Sequence, residues 1–444
     1  MSNWPKKTVL ELQDEGILRV EDGNHGEYRP RREEFSATGT CFIRAADMKS
    51  GRIDFQDSSR INDAAVSRIR KGVGQPNDIL FSHKGTVGKL AVAPPEAPQF
   101  VCSPQTTFYR VFDEEKIDRA FLFAFMRSPA FKSQWHSVKG ETDMADYVSL
   151  TAQRRLLISL PPITDQRAIG SILGALDDKI DLNRRMNETL EAMARAIFKS
   201  WFVDFDPVRA KMEGRQPFGM DQATADLFPD RLVESELGLI PEGWEVTTAG
   251  DLAEHRKTSV KPQESPDSLF DHHSLPAFDS GQSPALEAGE SIKSNKYAVP
   301  ENAVLVTKLN PWIPRVWLTE LATDQPQIAS TEFVVLEPCD RKNRAAIYSF
   351  FCLAESRIRL SELAGGTSNS HQRVKPADIT GLELAWNPKV GDAYSHVASP
   401  LLDQVLAQRS QSRTLAELRD LLLPKLLSGE IRVADAEQEV EAAL

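Results

Sequence analysis

Laid over itself with a shift of 225 residues, the chain repeats. LDDKIDLNRRMNETL, from Leu176, falls on LLDQVLAQRSQSRTL, from Leu401, without a gap. Leu176/Leu401, Asp178/Asp403, Arg184/Arg409, Thr189/Thr414 and Leu190/Leu415 are identical, and Ile180/Val405 is conservative. At nearly the same shift Asp78-Ile-Leu-Phe-Ser lies over Ala303-Val-Leu-Val-Thr, Thr107-Phe over Glu332-Phe, and Gly140 with Val148 over Gly366 with Val374. A repeat of this kind restricts the fold to two copies of one unit. Each copy reads as a mixed strand-and-turn domain followed by a long helix.

The strand regions are short Val/Ile/Leu/Phe runs broken by Gly and Pro, as in KLAVAPPEAPQFVCSP and VLVTKLNPWIPRVWL. Thr164 with Asp165, behind Pro161-Pro162, predicts the first helix start; Ser399-Pro400 predicts the second, because Pro is tolerated at the first helical position. Ile169, Leu173, Leu176, Ile180, Asn183, Asn187, Leu190, Ala194 and Ile197 then step by three and four, as do Leu401, Val405, Gln408, Ser412, Leu415 and Leu422. Two amides on an otherwise apolar stripe need a reason. Asn183 and Asn187 align with Gln408 and Ser412, so antiparallel copies would meet polar against polar, which fixes register at a cost in stability.

A chain of 444 residues is too long for one ordinary core, and no apolar run approaches a membrane span. MSNWPKKTVLELQDEG has no apolar signal core, and Cys41, Cys102, Cys339 and Cys352 form neither CxxC pairs nor a secreted framework, so a reduced, cytoplasmic protein is expected. The net charge of −11 is uneven: +2 for residues 1–161, 0 for 162–215, −10 for 216–399 and −3 for 400–444. A local basic face matters more for nucleic acid than the total, so the total does not exclude it.

DQRAIGSILGALDDKIDLNRRMNETLEAMARAIFKSWFVDFDPVRAK, then ADLFPDRLVESELGLIPEGWE, and finally LLLPKLLSGEIRV resemble the specificity subunit of type I restriction-modification systems over most of the chain. DGNHGEYRP resembles the start of a target recognition domain in some members. The resemblance implies an α+β chain: two mixed α/β target recognition domains in pseudo-twofold arrangement, separated by two long helices that form an antiparallel coiled coil. The expected division is 1–161 and 216–399 for the two recognition domains, the latter with its linker, 162–215 and 400–430 for the helices, and 431–444 for an acidic, solvated tail. It further implies one copy per complex, bound to double-stranded DNA, two methylation subunits and two restriction subunits of translocase and nuclease activity, with no membrane. The chain itself would be noncatalytic and bind no cofactor or metal; S-adenosylmethionine, ATP and magnesium belong on the partners. Independently, two related domains on a helical spacer should bind two DNA segments at a fixed separation. Because the copies have diverged, the split site should be asymmetric.

Loops between strands are the expected DNA contacts. SHKGTVGKL offers Ser82, Lys84, Thr86 and Lys89, and its counterpart TKLNPWIPR offers Thr307, Lys308, Asn310, Trp312 and Arg315. A second pair, KGETDMADY and GGTSNSHQR, offers Lys139 and Thr142, then Thr367, Ser368, Asn369, His371, Gln372 and Arg373. Arg29, Arg31 and Arg32 form a basic cluster that fits an ordinary surface as well. The resemblance assigns Phe198, Trp201, Phe202 and Phe205 to docking of the methylation subunits, although core packing would account for the same aromatics. Two rival readings stay open: a protein-binding coiled-coil adaptor and a single-chain adenine methyltransferase. Asn310-Pro311-Trp312 lacks the second Pro of the adenine-holding motif, and Gly85-Thr-Val-Gly88-Lys89-Leu lacks the first Gly and the Ser or Thr of a phosphate loop.

Overall fold

The computed structural model describes residues 4–141, 146–320, 323–365 and 372–443. Its residues divide into two compact units, one of 1–179 with 415–444 and one of 180–414.

In the first unit an antiparallel sheet places Leu18–Asp22, Thr106–Val111, Ile79–Ser82 and Leu90–Val92 side by side in that order. The second unit repeats the order with Ala253–Arg256, Phe333–Pro338, Val304–Thr307 and Val316–Leu318. A second sheet in the first unit runs Ser59–Ile61, Thr40–Ile43, Phe100–Cys102, Val73–Gly74, with its middle pair parallel. Ala285–Ala288, Leu269–His273, Gln327–Ala329 and Lys296–Ala298 have the same order and senses. Two short helices follow in each copy: Arg119–Arg127 and Pro129–Ser137, then Asn343–Cys352 and Ala354–Glu362. The repeat extends to backbone detail. Asn77 and Asn302, 225 apart, both take the left-handed conformation that Asn tolerates, at φ 71°, where the chain enters the strands Ile79–Ser82 and Val304–Thr307.

The register corrects one sequence pairing. Ser82 faces Thr106 and Thr307 faces Phe333, so the shift grows from 225 to 227 between these strands. Thr107 therefore corresponds to Val334 and not to Glu332, because the loop preceding Val316 and the segment preceding Phe333 have each gained length in the second copy.

The first long helix is Ile163–Phe202 and the second Pro388–Ser428, 40 and 41 residues. Each is about 60 Å long at ~1.5 Å per residue. Neither begins where the capping residues suggested. The Pro162 carbonyl accepts from the N–H groups of Asp165 and Gln166, so Thr164 already lies in the first turn. Asn387 Oδ1 accepts from the N–H groups of Lys389 at 3.0 Å and Val390 at 3.3 Å, which starts the second helix at Pro388 and leaves Pro400 inside it. A better cap upstream outcompetes Ser399.

The helices run antiparallel within each unit. In the second unit Asn183 meets Gln411, Glu191 meets Arg409 and the Tyr394 hydroxyl donates to the Ala194 carbonyl. In the first, Asp177 pairs with Arg419 at 2.8 Å. The first-helix aromatics are core. Phe198, Trp201, Phe202 and Phe205 are buried with Trp244, Trp386 and Tyr394, and Phe202 stacks on Trp386 at 5.1 Å. That packing corrects their assignment to a docking face. The acidic tail is likewise a helix, Val433–Ala443, which buries Ala436 and Val440 on one face instead of ending in solvent.

Candidate nucleic-acid interface

The strand Ile79–Ser82 delivers the loop that follows it through a hydroxyl clasp. Ser82 is fully buried; its Oγ donates to the Thr86 carbonyl at 2.6 Å and accepts from the Lys89 N–H at 2.8 Å. Gly85, at φ 80°, turns the chain at the tip, where Lys84 and Thr86 are exposed. Lys89 turns away from the tip, and its ammonium donates to the Ala45 carbonyl at 3.0 Å. Ser82 and Lys89 were expected at DNA; they hold the loop instead, and Lys89 is not placed as the lysine of a phosphate loop.

This loop is gripped on two sides. The His83 N–H donates to the Gln105 carbonyl at 2.9 Å, and the Val148 N–H donates to the His83 carbonyl at 2.8 Å. Lys84 pairs with Tyr147, and the Gly85 N–H donates to the Asp146 carbonyl. The two stretches singled out in this copy are thus neighbours, and exposed Lys84, Thr86, Gln105 and Tyr147 share one edge. Lys139 is half-buried and ion-paired with Asp146 at 2.8 Å; Thr142 lies outside the described residues. Burial lowers the pKa of the His83 imidazole, while Asp22 and the Val148 and Pro104 carbonyls facing its two ring nitrogens act in the opposite sense.

The second unit builds the same frame. The Lys308 N–H donates to the Glu332 carbonyl at 2.8 Å, the Val374 N–H to the Lys308 carbonyl at 3.1 Å, and the Asn310 N–H to the Gln372 carbonyl at 2.8 Å. Leu309 pairs with Arg373 as Lys84 does with Tyr147. Asn310, at φ 51°, takes the left-handed place of Gly85, 225 residues earlier. Thr307 is buried, as Ser82 is, and its Oγ1 accepts from the Leu309 N–H at 3.2 Å. Arg315 is clamped to both oxygens of Asp279 at 2.7 Å with its side chain only 13% exposed. Thr307 and Arg315 are therefore corrected from contacts to supports. Trp312 is exposed, Lys308, Asn310 and Gln372 are half-buried, and Arg373 is exposed; Thr367, Ser368, Asn369 and His371 lie outside the described residues.

Gln105 and Glu332 escaped the sequence reading because each stands just before a strand and not within a polar-basic run; Tyr147 closes KGETDMADY, from which only Lys139 and Thr142 were taken. Carrying the repeat through Lys84 and His83 would have found them. Burial, with Lys257 and Lys308 nearby, lowers the pKa of His255 on the strand Ala253–Arg256. Ammonium, guanidinium, amide, hydroxyl and carboxylate groups converge on one edge per unit, a set suited to phosphates and base edges. Among the described residues no three His, Cys, Asp or Glu side chains are placed to hold a metal ion, and no helix is long and apolar enough to cross a membrane.

Along the helices, Leu176, Asn183, Asn187, Phe198, Trp201, Val405, Gln408, Leu415 and Leu422 are buried, while Ile180, Leu190, Ile197 and Leu401 are half-buried. The Asn183 amide donates to Gln411 Oε1 at 2.9 Å and Ser412 Oγ at 3.3 Å. Asn187 Oδ1 and Gln408 Oε1 are buried without a hydrogen-bond donor among the described residues.

A family profile, the Type I restriction modification DNA specificity domain, matches residues 28–192. The HindI specificity subunit of Haemophilus influenzae is 26% identical over 460 residues, covering 90% of this chain and 96% of its own. The MjaIX specificity subunit of Methanocaldococcus jannaschii is 22% identical over 391 residues, covering 84% and 82%. The crystal structure of a type I restriction-modification S subunit from M. genitalium superposes with a TM-score of 0.53 at 12% identity over 96% of both chains, which supports the fold. Two copies of one domain, each leading into one helix of an antiparallel pair, go with a likeness along nearly the whole chain to specificity subunits of type I restriction enzymes, and with a specificity-domain profile over residues 28–192.

Proposed function

We propose that each unit reads one part of a split, asymmetric DNA sequence, and that the long helices set the gap between the parts and carry two methylation subunits and, through them, two restriction subunits. The observation that carries this reading is the shared frame: in both copies the loop after the third strand of the sheet order is hydrogen-bonded between the same two neighbours, yet the exposed side chains differ. Equal frames with unequal side chains suit two readers of different bases. The chemistry is assigned to partners, with S-adenosylmethionine, ATP and magnesium on them. A protein-only adaptor would not need matched polar-basic edges.

Single-molecule methylation profiling of host DNA with and without this gene tests the reading. Loss of one split, asymmetric adenine motif is expected; no change in any motif would count against it. In the same assay, adding about one helical turn, roughly four residues, to the exposed middle of the first long helix should lengthen the nonspecific gap and keep both half-sites. An unchanged gap would mean that the helix is not the ruler.

A further inference from the structure

We propose that Arg373, oriented by Glu332, reads a guanine in the DNA segment recognised by the second unit; the assignment rests on the DNA-reading function above. The root of this side chain is fixed on both flanks. Its N–H donates to the Gly365 carbonyl and its carbonyl accepts from the Gly365 N–H, both at 3.0 Å, while its other flank is bridged to Leu309. The tip is fixed as well. Nε and Nη2 donate to the two Glu332 oxygens at 3.1 and 3.0 Å, and Glu332 is itself anchored through its carbonyl to the Lys308 N–H.

Such a pair does little for stability when exposed, and the Arg373 side chain is 49% exposed. Its effect is on orientation. With Nε and one Nη2 hydrogen engaged, the guanidinium still presents its end-on edge, one hydrogen from each terminal nitrogen. That two-donor fork matches the O6 and N7 acceptors of guanine in the major groove. Arg315 makes the same two bonds to Asp279, but its side chain is 13% exposed, so its outer edge is largely covered.

The comparison within the molecule points the same way. At the corresponding places the first unit has Tyr147, paired with Lys84, and Gln105, whose carbonyl accepts from His83 as that of Glu332 accepts from Lys308. A charged fork in one copy and a neutral pair in the other, on one frame, is where the two half-sites should differ.

The test is the methylation motif of host strains carrying the full-length chain as wild type, R373K, R373Q or E332Q. A bidentate Arg–guanine contact gives roughly 5- to 150-fold discrimination. Both Arg373 variants are expected to relax one G·C position of one half-site by a factor in that range, with the other half-site and the gap unchanged, and E332Q to relax the same position. A gene-dependent motif that both Arg373 variants leave intact overturns the assignment while the DNA-reading function stands. Loss of the whole motif in R373K also overturns it, since that would make the residue a support or a phosphate contact. If deletion of the gene removes no motif, the function on which the assignment rests fails and takes it along.

Discussion

Asp78 shows how little a single position reveals about its surroundings. It opens a strand-like run and is 1% exposed, with Arg110 Nε at 2.8 Å from one oxygen and Arg110 Nη2 at 2.6 Å and the Gln75 N–H at 2.8 Å from the other. Burial raises its pKa, while these donors pull it down. The corresponding residue of the other copy is Ala303, so the fold does not demand the pair. Removing one partner is another matter: Arg110→Ala strands a buried carboxylate and is expected to cost about 3–5 kcal/mol in urea denaturation, with Asp78→Ala/Arg110→Ala recovering part of it. A double variant no more stable than Arg110→Ala would show that Arg110 acts by packing alone. The same blindness explains Ser82, Thr307, Lys89 and Arg315. Their residue types suit DNA, but the two cations turn to partners distant in the chain, the Ala45 carbonyl and the Asp279 carboxylate, and the two hydroxyls, each on the last residue of a buried strand, bond within their own loops.

At the scale of elements, the stripe that predicted the helices also predicted where they touch. Asn183 meets Ser412, the residue aligned with Asn187, and the backbone of Gln408, its own counterpart. The two amides nevertheless differ. Asn183 is satisfied, so Asn183→Leu should cost about 1–3 kcal/mol by leaving Gln411 without its donor. Asn187 Oδ1 has no donor among the described residues, so Asn187→Leu is expected to be neutral or to raise the thermal midpoint. Equal losses for both would refute the distinction. The helix ends were legible only in part, because a cap is chosen among competitors. Asn387 precedes Ser399 and wins, and Pro400 is carried inside a helix that tertiary packing sustains.

At the scale of the molecule, the repeat was the most informative sequence feature, since one shift located one central strand in each copy, the two long helices and the two matched loops. Its limits were physical too. Small length changes in the loops moved the shift from 225 to 227, which hid the equivalence of Gln105 and Glu332.

The division of the chain has a consequence for how the protein is made. One unit is the unbroken stretch 180–414; the other is assembled from both ends, 1–179 and 415–444. On the ribosome the internal unit can be complete while the one begun first still waits for the final stretch that brings Arg419 to Asp177 and supplies buried Leu422 and Leu426. A stop codon after Thr414 should therefore injure the beginning of the protein and spare its middle. In limited proteolysis of the truncated chain, residues 1–179 are expected to be cut early while 180–414 persists as a resistant fragment. Premature termination late in the message would thus strike the half that was translated first.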